Sequence, residues 1–358
     1  MAQRLSAVFL EYPILYNTKV NVHCKNNDIY RLNSEGIKQK TSNGYAEIYV
    51  TATVRTNSGS EMGDSFYRVV KTEKELDEAL LRVELVNVAN RLMEAKTAMP
   101  VNDYYIGPMM FEDDAVASAI SNDIYPIIIS KRTTQENSGM GSLVWGKRII
   151  DKKLSLTQRT DLASYQGLGL LGYYQHDADG LVPQSSLSII KNGILEHLVC
   201  GRTPSLNCLN STANEIFFID PTRVMGSDVM PGVVMMTGTN NVSQTKMKQT
   251  LLKEAKAQGL SSAYIVKQPA GCTSCLYRVD VKTGAEEMVL VNAIPKLSKS
   301  DFMHVLGVSN EENVFNTIKQ GIGSTVIAPR GMIVESIEKY LKKPKTDKPF
   351  PVGNPLEK

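Results

Sequence analysis

The sequence predicts an α+β protein: an antiparallel sheet covered by a helix at the N-terminal end, then a larger β-rich domain of barrel or sandwich type. Three patterns predict it. Residues 17–55 alternate with period two, as in Val20, Val22 and Cys24 and again from Tyr45 to Arg55, with turn residues between the runs. Thr72-Glu73-Lys74-Glu75 has the form of a capping box, in which hydroxyl and carboxylate satisfy orphan amides at a helix start. Beyond residue 150, short apolar or alternating runs are joined by the turn signals Asn192-Gly193 and Lys282-Thr283-Gly284.

In chain order, strands are expected over 19–24 and 29–33, with Asn26-Asn27-Asp28 turning between them and Ser34-Glu35-Gly36 turning after them. A strand over 45–55, a flexible loop at 58–64 and a strand over 66–70 complete the first sheet. Leu76, Ala79, Leu80, Val83 and Val86 then supply the inward face of a long helix that fades at Met99-Pro100. The expected division is therefore a sheet-plus-helix unit over 1–100, a larger domain over 101–340 and a Lys/Pro-rich tail over 341–358.

The stretch from Tyr104 to Pro126 organises the second unit. Tyr104 to Ile106 and Met109 to Phe111 are apolar steps on either side of Gly107-Pro108, read as a turn. Glu112, Asp113 and Asp114 sit where a helix N-terminus favours negative charge, and Ala115, Val116, Ala119 and Ile120 follow at helical spacing. Pro126 has no N–H to continue that helix. Further on, Asn192-Gly193 predicts a hairpin, and Ser243 caps a helix with Met247, Leu251, Leu252 and Ala255 inward and Gly259 as its stop. Ile333 to Tyr340 is expected as a final short strand.

Composition excludes several classes. The chain has 358 residues, 42% hydrophobic and 22% charged, with a formal net charge of +3. That charge is too small to imply a polyanionic partner, and the Lys-rich C-terminal stretch reads as a solvated tail, so nucleic acid is disfavoured. No apolar run approaches the roughly 18 residues of a membrane span. The start is a poor signal peptide. The compartment stays open: cytoplasmic if the chain is complete, exported if an N-terminal segment has been removed.

Five cysteines (Cys24, Cys200, Cys208, Cys272 and Cys275) form no even disulfide framework. Cys272 and Cys275 have half the spacing of a zinc site, but no second pair completes it; two ordinary thiols is the plainer reading. Of the four histidines, His23 and His197 fall on expected strands, while His176 in the acidic loop 175–180 and His304 find no partner in sequence. Neither a dinucleotide fingerprint nor a nucleophile elbow of the G-x-S-x-G kind is present.

Five segments in order carry a resemblance to a known family: NSEGIKQKTSNGYAEIYVTATV, DYYIGPMMFEDDAVASAI after the Thr72 helix, YYQHDADGLVPQSSLSIIKNGILEHLV, MKQTLLKEAKAQGL and GIGSTVIAPRGMIVESIE. Together, from about residue 17 to the end, they resemble the TldD/PmbA family, metallopeptidase-related proteins once described as modulators of DNA gyrase. By that resemblance, an N-terminal portion is missing or reduced here. Active members carry HExxxH on the helix after the GP-x-x-x-E step, which supplies two zinc ligands and a general base, and a later Cys completes the site. Laid onto this chain, the His positions fall near Ser121 and Pro126, the Glu position near Asn122, and the Cys near Gly323, Ser324 and Thr325. Neutral Ser and Asn are poor zinc ligands and Pro offers no donor.

The resemblance therefore implies no catalytic residue and no metal of its own, with zinc expected in active relatives only. It implies a role like that of the PmbA (TldE-like) half of the family: partner of a TldD-like catalytic subunit, or of a second copy in a dimer. An extended peptide would lie in a remaining cleft, with His176, Asp177, Gly321 and Gly323 as candidate lining residues. The alternatives are a peptidase or other hydrolase working without zinc, for which Cys272, Cys275, His176 and His304 are the available parts, and a DNA-associated regulator.

Overall fold

The computed structural model describes residues 1–131, 144–205, 207–219, 226–239, 241–268 and 275–345. Three long strands form the first sheet in the order β1 (Tyr16–Leu32), β2 (Lys38–Arg55), β3 (Glu61–Val70). The turn expected at Asn26-Asn27-Asp28 does not exist: β1 runs straight through, pairing residue by residue with β2 from Lys19↔Thr51 to Leu32↔Lys38. The only reversal is at 33–37, where the Asn33 side chain accepts from the amides of Glu35 and Ile37. Side-chain turn propensity yields here to an uninterrupted ladder.

The capping box at Thr72 is present, but it closes only a single 3-10 turn, Glu73–Glu75. The helix proper, α1 (Glu78–Thr97), starts afresh with Asp77 accepting from the amides of Ala79 and Leu80. That restart shifts the phase. Leu81, Leu85, Val88 and Leu92 face the sheet, whereas Leu80 is 60% and Val83 57% exposed. Of the expected inward face, Leu76 is buried and Val86 packs partly onto the core, while Ala79, Leu80 and Val83 face outward. The buried leucines meet Ile48, Val50 and Phe66, each contributing about 1.5–3 kcal/mol of burial.

The second unit consists of two sheets around one core. Its principal strands are β4 (Asp103–Asp113), β5 (Leu154–Gln158), β6 (Leu187–Lys191), β7 (Ile194–Leu195), β8 (Val233–Gly238), β9 (Ser262–Gln268), β10 (Leu276–Asp280), β11 (Glu286–Leu290), β12 (Val305–Ser309), β13 (Glu312–Lys319), β14 (Ile322–Pro329) and β15 (Gly331–Leu341). Six of them order as β7-β6-β5-β8-β14-β13; eight order as Asn241–Val242, β12, β15, β4, β9, β10, β11, Met99–Pro100. Met109 and Phe111 of β4 face the core shared with Leu156, Val234 and Val326 of the other sheet. Met110 points the other way, onto Met247, Leu251 and Ala255 of α4 (Gln244–Ala257). The core thus takes the sandwich form. The Ser243 cap position, the Gly259 stop (φ 74°) and the Asn192-Gly193 hairpin all stand as expected.

Gly107-Pro108 is not a turn. β4 passes through it, and β15 bulges opposite: its pairing jumps from Val334↔Met109 to Ile337↔Gly107. A bulge suits a proline that cannot donate to the ladder. The final strand is likewise central and eleven residues long rather than short. Among the described residues no helix is long and apolar enough to cross a membrane. Two cysteine expectations fail: Cys200 and Cys208 are disulfide-bonded, as is Cys275. Cys272 lies outside the described residues. Cys208 follows Cys200 by eight positions, too short a spacing to stand out in a five-cysteine count.

Candidate functional site

β4 delivers the chain to the site through an unusual joint. Asp113, between β4 and helix α2 (Asp114–Ala119), holds φ 58° and ψ −122°, a region a side chain enters only against strain. Two contacts hold it there: its amide donates to the Arg330 carbonyl at 2.8 Å, and its carboxylate accepts from Arg330 Nε at 3.0 Å. Asn313 Nδ2 then donates to Asp114 Oδ1 at 2.6 Å, tying α2 to β13.

Pro126 does not end the helix. The chain widens into a π turn over Ile120–Ile124 and resumes as α3 (Tyr125–Ile128), with Pro126 in its first turn, where its missing N–H costs least. The wide turn determines which side chains point inward. Ser121 is buried, Asn122 is exposed, and Tyr125 is fully enclosed.

The positions where relatives would bind zinc are filled with other contacts. Ser324 Oγ lies 2.9 Å from the Pro231 carbonyl and 3.1 Å from that of Gly232, so its proton goes to the main chain. Tyr125 Oη is 2.9 Å from Ser324 Oγ and must then be the donor. Burial raises the Tyr125 pKa, so the phenol stays neutral. On the other side, Lys319 Nζ caps the Ser121 carbonyl and donates to Asn122 Oδ1 at 3.0 Å, 6.0 Å from the Tyr125 ring centroid. Burial lowers the Lys319 pKa, and Asp123 partly offsets that. A zinc ion would meet two hydroxyls engaged elsewhere, an amide and an ammonium. The residues present do not fit it. Among the described residues no group of three or more His, Cys, Asp or Glu is placed to hold a metal ion.

The other candidates are dispersed. His176 and His304 are both exposed, and Cys275, buried and disulfide-bonded, offers no thiol for nucleophilic attack. Asp177 is 1% exposed. Its Oδ1 accepts from the amides of Asp179 and Leu181 at 2.9 Å, while Oδ2 is buried with no donor. Burial accordingly pushes its pKa up to about 6, with the Leu181 amide pulling the other way. The far end of the β1–β2 hairpin clasps this loop: Gln39 Nε2 reaches the Asp177 carbonyl at 3.3 Å, Arg31 pairs with Asp179 at 3.4 Å, and Arg202 forks onto Glu35 at 2.6 Å. Gly321 (φ 86°) forms the turn before β14, and Gly323 lies so close to Leu171 that a Cβ would meet its Cγ at 2.8 Å. None of these four residues lines the cleft described next.

A half-open cleft of about 410 Å³ separates β3 of the first sheet from β13 of the second unit, within the usual range of ligand sites, about 300–1,000 Å³. Its walls are Tyr67 to Val70 and Glu312 to Asn316, and Asp113 and Arg330 stand at one end. Sequence reading missed the cleft and Lys319 alike, because each joins residues far apart in the chain.

Solved structures share this fold. A candidate modulator of a DNA gyrase from Thermotoga maritima matches 94% of this chain and 72% of its own at a TM-score of 0.66 and 12% identity. TldE from Thermococcus kodakarensis matches 94% and 72% at 0.63 and 16% identity. The fold is theirs. A candidate modulator of DNA gyrase from Bacteroides thetaiotaomicron agrees, covering 94% of this chain and 70% of its own at 0.60 and 13% identity. No sequence-family model and no curated protein matches the chain.

Proposed function

We propose that this chain is a non-catalytic protein of the TldD/PmbA family that holds extended peptides and works beside a TldD-like zinc peptidase or a second copy of itself. The carrying observation is the Tyr125–Ser324 hydrogen bond with the Lys319 ammonium over the Tyr125 ring. Ring, hydroxyl and ammonium occupy the positions that the resemblance would give to a metal site, which supports the reading, because zinc-dependent hydrolysis without a metal-bound water lacks its nucleophile. Peptide holding needs no metal; it needs a sheet edge with free main-chain groups and room beside it. β3 and β13 are outer strands of their sheets and border the cleft.

The experiment is a hydrolysis assay on unstructured peptides with the purified chain alone, with a TldD-type catalytic subunit alone, and with the two combined. The expected result is no turnover by this chain alone and altered turnover in the mixture. Peptide cleavage by this chain alone, surviving chelator, contradicts the reading.

A further inference from the structure

The cleft between β3 and β13 has a charge that peptide holding in general does not require. Glu75, Glu84, Asp113, Asp114 and Glu312 line it, against Arg68 and Arg330 as the only cations among its lining residues. Arg330 is engaged by Asp113 and Glu311, and Arg68 lies 3.8 Å from Glu84, so these pairs cancel; Glu75, Asp114 and Glu312 carry the residual negative charge, partly offset by Lys71 beside Glu75. The fold fixes where these carboxylates point. Tyr165 Oη donates to Glu312, Asn313 Nδ2 to Asp114, and the Gly169 amide to Glu75.

We infer that the cleft selects extended peptides bearing lysine or arginine at alternate positions, an inference that rests on the peptide-holding reading above and narrows it to a substrate class. Among the described residues β3 pairs with β2 alone and β13 with β14 alone, so each presents an edge to an incoming strand. Alternate side chains of such a strand share one face, about 7 Å apart. Basic side chains at that repeat meet the carboxylates of the cleft walls, while the intervening residues face outward. Acidic segments are repelled by the same groups.

The test uses the full chain and three labelled, unstructured peptides of equal length in which Val alternates with Lys, Gln or Glu, followed by fluorescence anisotropy at low and high salt. The Lys peptide is expected to bind roughly tenfold tighter than the Gln peptide, with the difference collapsing at high salt and the Glu peptide weakest. Glu312→Gln and Glu84→Gln, each checked for an unchanged thermal midpoint, should shrink the Lys advantage by about two- to fivefold. Equal binding of the three peptides overturns the charge selection and leaves peptide holding intact. A Lys preference that both variants leave unchanged also overturns it, placing the selection elsewhere on the surface. Failure of all three to bind overturns peptide holding and this inference together.

Discussion

The seam around Tyr125 and the cleft at Asp113 are joined by the same short helical stretch, yet they are opposites. At the seam three polar side chains are turned onto neighbours: Tyr125 onto Ser324, Ser324 onto the main chain, Lys319 onto Ser121 and Asn122. In the cleft the polar groups are carboxylates and arginines that border open space. The difference teaches that one short stretch uses its polar side chains for packing at the seam, while charge stays open where two sheet edges meet.

The largest expected effect would break that contrast at the seam. Tyr125→Ala should destabilise the protein by about 3–5 kcal/mol, as removal of a buried aromatic does, read from the shift of the urea midpoint. Tyr125→Phe should cost only about 0.5–1.5 kcal/mol, because Ser324 keeps its carbonyl partners. If both variants cost the same small amount, the seam is not packed as described.

Asp113 marks the border between the two regions. Its backbone strain is worth about 1–3 kcal/mol. Asp113→Gly relieves that strain while losing an ion pair worth about 0–1 kcal/mol, so stability should hold or rise. Asp113→Ala keeps the strain and loses the pair, and should fall by roughly 1–2 kcal/mol relative to the glycine variant. Equal midpoints for the glycine and alanine variants would contradict the φ assigned to Asp113.

The last effect is pH-dependent and concerns Asp177 beneath the hairpin. Its carboxyl is raised to about 6 in the folded protein, against about 4 when unfolded. A raised acid opposes folding once ionised. The penalty is absent below the unfolded value and fully present above the folded one. Asp177→Asn should therefore flatten a loss of stability between about pH 4 and 7, about 2–3 kcal/mol at full ionisation. A wild-type pH profile parallel to that of the variant would remove the buried charge from the account.

Much of the fold was legible because its signals are local. Asn192-Gly193 and the Ser243-to-Gly259 helix are read from adjacent residues, and both stand. Errors arose where a local signal was genuine but subordinate. The Thr72 capping box forms, yet the helix restarts at Asp77, which rotates its buried face from Leu80 and Val83 to Leu81 and Leu85. Pro126 was read as a stop because a π turn, which lets the helix resume around it, leaves no mark in sequence. The site was half legible. Ser121, Asn122, Pro126 and Ser324 could be found by resemblance, but Lys319 and Tyr125, which fill the space between them, are joined only by tertiary packing.

The claim that the seam has no place for a metal is tested most directly by zinc titration of the isolated chain against a chromophoric chelator, in parallel with Ser121→Ala and Ser324→Ala. The account predicts no stoichiometric tight site in any of the three. One zinc bound per chain, lost in either variant, would contradict it.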